Sequence, residues 1–340
     1  MDELDDGDAE MKFSIVVPVY NVARYLPTAL DSVVSQTERD WECVCVDDGS
    51  CDGSGEILDA YAARDVRFHV VHQLNQGVSA ARNAALDIAK GEWIVYLDGD
   101  DVLVPWALEF YVDMMAMQSD SDMLCLGCIR FPDGEALPWT RQARSVQPFP
   151  LESEDTSRLI SARAFVADFF QYAYHRVAVG DCRFPTDLVY GEDRFYLVGC
   201  LLRARRCSFA QPVAYGYRIR KTSCSNSTWT LQKAENLLRC DRLILEKVEQ
   251  SGKRLTPEAL RLQLNQIMEF AIDKLSQLSS SDRRIAWLGW RAILPWLRTL
   301  RGATPWRRFT IVVCRLLPFY WVAVILCAWP HRLKLKGIHR

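Results

Sequence analysis

Between residues 12 and 103 the chain alternates two spacings of apolar residues. In "KFSIVVPVY" and "WECVCVDDGS" nearly every position is apolar, the pattern of strands buried on both faces in a parallel sheet. Between them, "ARYLPTALDSVVSQT" sets Leu26, Leu30, Val33 and Val34 at helical spacing. "GSGEILDAYAARD" reads as a second helix, "VRFHVVHQ" as a third strand, and "GVSAARNAALDIAKG" as a third helix closed by Gly91 at its C-cap. "GEWIVYLDGDDVL" supplies a fourth strand. This β-α-β-α-β-α-β alternation predicts an α/β fold with a doubly wound, mainly parallel sheet and right-handed crossovers.

Beyond residue 103 the pattern is mixed. A helix is expected from Pro105 to Met117, a strand at "DMLCLGCIRF" and a late strand at "AYGYRIR". From Leu231 the spacing turns helical. The expected organisation is an acidic leader over 1–11, one catalytic-type domain over 12–228 with halves at 12–103 and 104–228, and a helical C-terminal extension over 229–340.

Ligands of such sheets bind beyond the carboxyl ends of the strands. Polar clusters fall at three of those ends: Val19-Tyr20-Asn21, Asp47-Asp48-Gly49 and Asp98-Gly99-Asp100-Asp101. Three carboxylates straight after an apolar strand repel one another and lose solvation, so a positive partner is expected. A hard divalent cation fits carboxylate oxygens, with a substrate diphosphate completing its shell, and Gly99 permits the tight turn. The alternative is a solvated turn with Asp101 capping the next helix. For Asp48-Gly49 the choices are acceptance of a base N–H or a plain turn. Tyr20 is either a stacking surface for a base or a packed rim residue. Arg82, at a helix N-terminus, suits phosphate or a surface carboxylate.

Taken together, "FSIVVPVYNVARYLPTALDSVVSQT", "CVDDGSCDGS", "NQGVSAARNAAL" and "GEWIVYLDGDD" resemble, in order and spacing, the family 2 glycosyltransferases of the GT-A fold. The resemblance covers residues 12–225 and is tightest up to Asp101. It implies a nucleotide-diphosphosugar donor, usually a uridine one, and a glycan or lipid-linked acceptor. Tyr20 would stack on the base, with Val19 and Asn21 beside it. Asp48 would hydrogen-bond the base next to Gly49, and Arg82 would lie near the phosphates. Asp100 would ligate Mn2+ or Mg2+, and Asp98, next to Gly99, would contact the ribose or the sugar-metal region. In "YGEDRFYL" the resemblance makes Asp193 the catalytic base, with Glu192 beside it. Arg218, Arg220 and Lys221 would close over the diphosphate, or form a solvated basic strand end. The implied reaction is inverting transfer of a hexosyl or N-acetylhexosaminyl group, as in polysaccharide synthesis. Cys51 stands where relatives usually have Thr, and the family's Trp- and Lys-containing stretch is missing near "YAYHRVAVGDCRFP".

Other classes fit less well. A haloacid-dehalogenase-like phosphohydrolase needs a nucleophilic aspartate after the first strand, where this chain has Val19-Tyr20-Asn21. A dinucleotide oxidoreductase needs a G-x-G-x-x-G there. Intact acids at Asp48, Asp100 and Asp193 speak against a non-catalytic sugar-nucleotide-binding module.

Charge adds a second theme. Residues 283–340 hold twelve Lys and Arg and no Asp or Glu, leaving 29 basic and 43 acidic residues before them. Six of eleven tryptophans lie in the same stretch. Basic and Trp-rich composition belongs to interfacial segments. The run 309–329 is interrupted by Arg315 and Pro318, which leaves it too short to span a bilayer. Peripheral contact with an anionic membrane is expected, at the cytoplasmic face of the plasma membrane, with no nucleic-acid partner. The acidic start and the twelve cysteines, several in buried patterns, predict reduced thiols in the cytoplasm. Cys125-x-x-Cys128 has no second pair at zinc spacing.

Overall fold

The computed structural model describes residues 11–135, 149–152, 168–220, 230–252 and 281–282. The chain divides into two compact units, Met1–Ser227 and Thr228–Arg340. The first unit opens with β1 (Phe13–Val19), α1 (Leu26–Val34), β2 (Trp41–Asp47), α2 (Ser54–Ala62), β3 (Phe68–His72), α3 (Val78–Ile88) and β4 (Trp93–Tyr96). It continues with β5 (Val102–Leu103), α4 (Ala107–Met117), β6 (Met123–Pro132) and β7 (Phe149–Glu152). A single 3-10 turn (Phe169–Gln171) leads into β8 (Tyr172–His175), α5 (Arg176–Val179), α6 (Glu192–Arg203) and β9 (Arg206–Ile219).

One sheet runs in the order β3-β2-β1-β4-β8-β6-β9-β5, with β7 paired to β9. Its first four strands are all parallel, as the sequence pattern predicts. The second half is mixed: β8 is antiparallel to β4 and β6, β6 and β9 run parallel, and β5 and β7 are antiparallel to β9. Every residue of β1 and β2 is buried, which is why their sequences are nearly continuous apolar runs.

Gly91 does not cap α3. The helix ends at Ile88, and Ala89 already has extended backbone. A Cβ at Gly91 would collide with the backbone of Phe13 and Ser14, so glycine is needed for close approach to β1. The Gly91 N–H donates to Ser14 Oγ at 2.7 Å.

Beside the sheet's C-terminal rim, His72 at the end of β3 lies between two acids. Nδ1 is 3.0 Å from Asp47 Oδ2, and Nε2 is 3.0 Å from Asp59 Oδ1 on α2. Hydrogen bonding to Asp47 and then Asp59 raises the His72 pKa above its ordinary 6.5. Burial would raise Asp47, but hydrogen bonds from Ser50 and His72 outweigh it and hold that carboxyl below the usual range. The stabilisation is therefore complete below the unfolded histidine value and is lost as pH rises through the folded one. Above pH 6.5 the wild-type Tm should fall more steeply than that of His72→Gln. Parallel slopes in thermal scans would remove this tie from the account.

In the second unit, α7 (Leu231–Gln250) starts at Thr230, whose side chain accepts from the Lys233 N–H at 3.3 Å. It is amphipathic, burying Leu237, Cys240, Ile244 and Val248. Among the described residues no helix is long and apolar enough to cross a membrane. All but the last residue of the expected leader over 1–11, and the basic, Trp-rich stretch 283–340, lie outside the described residues.

Candidate active site

The predicted strand ends meet on one rim. The β1 end is tied to the β2 end, since the Asp48 N–H donates to Val19 O at 2.8 Å. The turn after β4 packs on the same place: a Cβ at Gly99 would lie 3.0 Å from Val22 Cγ2 and 3.4 Å from Pro18 O. Gly99 therefore lets the β4 turn come against the Pro18–Val22 segment. Val19 is buried, while the Tyr20 ring is half exposed. Asn21 has φ 51°, left-handed backbone that Asn tolerates better than most residues. Its Oδ1 accepts from the Cys51 N–H at 2.9 Å, and its own N–H donates to Ser50 Oγ at 3.1 Å.

Asp48 is buried and already organises the loop before α3. Oδ1 accepts from Gln73 Nε2 at 2.7 Å and the Gln76 N–H at 2.8 Å; Oδ2 accepts from the Gly77 N–H at 2.8 Å. A carboxylate has about four acceptor sites, so one remains on Oδ2. Gly49, at φ 75°, lets this loop come close: a Cβ there would lie 2.9 Å from Asn75 N.

The crowded acids after β4 find their positive partners within the chain. Arg82 Nη2 bonds Asp98 Oδ1 at 2.9 Å, and Arg220 Nη2 pairs with Asp100 Oδ2. Asp101 caps no helix, since α4 begins only at Ala107. Its oxygens accept from the Tyr215 hydroxyl at 2.8 Å and the Arg218 N–H at 2.7 Å. Burial, then Asp100 and Asp98, pushes Asp101 up to about 8. Burial and Asp98 also raise Asp100, against the pull of Arg220.

Arg82 reaches further than the phosphate role anticipates. The residue is 4% exposed, and its guanidinium lies 4.5 Å from the Phe169 ring centroid and 5.2 Å from that of Phe184. Nη1 lies 3.4 Å from Glu192 Oε1. Arg82 thus bridges the β4 turn to the start of α6, where Glu192 and Asp193 occupy the first turn behind a left-handed Gly191. Burial, then Asp193, pushes Glu192 up to about 7 despite Arg82. Asp193 Oδ1 accepts from the Arg194 N–H at 2.7 Å.

Two further residues belong to this site: Asp168, which carries no motif signal, and Tyr215, which lies in the late strand expected at "AYGYRIR". Asp168 caps the turn at Phe169 and pairs with Arg130 at 3.2 Å. Burial raises its pKa, Arg130 opposes this, and Asp193 and Asp98 add to the rise. The Tyr215 hydroxyl also accepts from the Asp98 N–H at 3.2 Å. Lys221 lies outside the described residues.

Among the described residues no group of three or more His, Cys, Asp and Glu comes together to hold a metal. Asp98 and Asp100 nonetheless offer hard oxygen donors, and each already holds a cationic guanidinium. That donor set suits Mn2+ or Mg2+ with a ligand supplying further oxygens.

With this geometry in place, the chain can be set beside known proteins. Residues 14–179 match the family model for glycosyl transferase family 2. Over that span, just under half of its length, the chain is similar to the family 2 glycosyltransferases. Its relatives include the uncharacterized glycosyltransferase EpsJ of Bacillus subtilis, 32% identical over 209 residues, which are 60% of each protein. Another is the poly(ribitol-phosphate) beta-glucosyltransferase of Bacillus spizizenii, 31% identical over 217 residues, 62% of this chain and 33% of that one. The chain thus spans three fifths or less of the length of these two relatives. Staphylococcus aureus TarS 1–349, solved with UDP-GlcNAc, superposes with a TM-score of 0.73 at 21% identity, over 90% of this chain and 87% of that one. The α/β unit has the GT-A fold.

Proposed function

We propose that the protein is a metal-dependent, inverting glycosyltransferase. It would move a hexosyl or N-acetylhexosaminyl group from a UDP-sugar to a hydroxyl of a glycan or lipid-linked acceptor. The observation that carries this reading is the Arg82 bridge, which joins the acids of the β4 turn to the acid pair of α6 across one rim. A donor side and a proton-accepting side then face the same space. UDP-GlcNAc on TarS and the poly(ribitol-phosphate) in the name of the B. spizizenii glucosyltransferase are consistent with the substrate classes.

Each residue has a task. The half-exposed Tyr20 ring offers a face to the base, and the remaining acceptor site of Asp48 takes a base N–H. Val19, Asn21, Gly49 and Gly99 shape the wall that lets backbone approach the nucleotide. Asp100 and Asp98 would hold Mn2+ or Mg2+, which supplies charge neutralisation at the diphosphate as it departs. Arg82 fixes Asp98 and Glu192 at their stations. Asp193 accepts the proton of the acceptor hydroxyl, a poor nucleophile unless a carboxylate takes that proton as the bond forms. A single displacement on the face opposite the diphosphate inverts the anomeric centre. Membrane contact through 283–340, at the cytoplasmic face, belongs to this proposal and rests on composition.

Calorimetry with UDP and GDP, each with and without Mn2+, tests the donor half. Wild type should bind UDP only with Mn2+, and Asp100→Ala should lose that binding at least tenfold, about 1.4 kcal/mol. UDP binding that needs neither the metal nor Asp100 would overturn the reading.

A further inference from the structure

Each carboxylate proposed for the metal already holds an arginine, and the two arginines are held differently. Arg82 is sealed between two aromatic rings and shared with Glu192. Arg220 stands one residue past β9, with its side chain 19% exposed. Its guanidinium is 5.1 Å from the Tyr25 ring centroid, alongside Arg24 at 5.2 Å and Arg218 at 5.3 Å. The anchoring of β9 to the acid turn falls to Tyr215, whose hydroxyl bonds Asp101 and the Asp98 N–H, and to Arg218. Its backbone N–H donates to Asp101 Oδ1, and its Nε donates to the carbonyl of Asp100 at 2.8 Å. The strand end therefore keeps its place whether or not the Arg220 side chain stays on Asp100.

We propose that Arg220 is an exchangeable counter-ion. It neutralises Asp100 in the donor-free protein, yields that carboxylate to the divalent cation, and passes to the diphosphate that arrives with the cation. This inference rests on the metal-dependent donor reading above. The physical basis is a comparison of partners. A metal binding alone must take Asp100 from the guanidinium and gives it no anion in return. A metal with a nucleoside diphosphate brings a new anion into reach of the same guanidinium. Metal and diphosphate should then bind with positive coupling, and the coupling must be reciprocal.

The full chain is titrated with Mn2+ alone and with Mn2+ plus UDP, following loss of the free-ion EPR signal. Arg220→Gln should bind Mn2+ alone about tenfold more tightly, the gain expected if the Arg220–Asp100 pair holds about nine molecules in ten. The further gain on adding UDP should shrink in the same variant. Arg220→Lys, which keeps the charge and loses the fork, should fall between the two. Arg24→Gln removes a charge from the same cluster at a side chain 72% exposed, and should leave the Mn2+ constant within about twofold. A damaged fold would weaken Mn2+ binding, so the predicted tightening has the opposite sign from damage. The exchange is overturned if Arg220→Gln binds Mn2+ no more tightly than wild type, or if Arg24→Gln tightens it equally. If wild type still binds Mn2+ and UDP through Asp100, the donor reading survives that result. If wild type binds neither, both fall together.

Discussion

Asp193→Asn should bind UDP with Mn2+ as wild type does and turn over about 10²–10⁴-fold more slowly, the usual range for losing a positioned general base. The substitution keeps side-chain volume, and its amide oxygen can still accept from the Arg194 N–H, as Asp193 Oδ1 does at 2.7 Å. The fold should therefore hold while the proton acceptor disappears. Glu192→Gln is the informative companion. Glu192 sits on Arg82 and titrates near 7 because burial and Asp193 oppose the arginine. Its loss should weaken the Arg82 bridge and flatten the pH–rate profile around neutrality, with a smaller drop in kcat at the optimum. A larger kcat loss in Glu192→Gln than in Asp193→Asn would exchange the roles of the two acids. Equal UDP constants across wild type and both variants would place the defect in chemistry rather than in donor binding.

The parts of this molecule that were legible in the sequence are those governed by short-range patterns. β1 and β2 are buried on both faces, so their apolar runs carried the parallel half of the sheet unaided. The polar clusters after β1, β2 and β4 followed from where those runs stop. Failures came where a residue's partner is distant in the chain. Gly91 looked like a helix cap because it follows a helical pattern, yet its constraint is the backbone of Phe13 and Ser14. The alternative reading of Asp101 as a helix cap fails for the same reason, since Tyr215 and Arg218, 114 and 117 residues away, claim its oxygens. The mixed half of the sheet was faint for a related reason: β9 is fourteen residues long and pairs with β5, β6 and β7 in both senses. Asp168 carried no signal because a capping acid before two phenylalanines has nothing in its own neighbourhood that marks a site. A hint did exist in the second half, where the Tyr-rich "AYGYRIR" ends in two arginines opposite an acid-rich turn that lacked cations of its own.

Arg82→Ala should be the most damaging single change, because it removes one group on which two halves of the site depend. Arg82 and Glu192 are 110 residues apart in the chain, and Arg82 is also the cation on Asp98. The side chain is buried, so its removal leaves Asp98 and Glu192 facing each other without the charge that offsets them. Breaking a buried ion pair by deleting one partner costs about 3–5 kcal/mol. Against a typical total stability of about 5–15 kcal/mol, that loss should appear as a large drop in the denaturation midpoint. Arg82→Lys should recover only part of it. A lysine restores the charge, but a single ammonium cannot serve two carboxylates from opposite ends of a planar fork while lying against the rings of Phe169 and Phe184. The double variant Arg82→Met, Glu192→Gln separates charge from packing. If it is more stable than Arg82→Ala, the cost lies in the uncompensated Glu192 carboxylate. If it is no more stable, the loss comes from the contacts of the guanidinium with the two rings, and the bridge is a packing element first. Activity should be lost in all three, since none retains both the Asp98 contact and the Glu192 contact that hold the donor side and the base side in one frame.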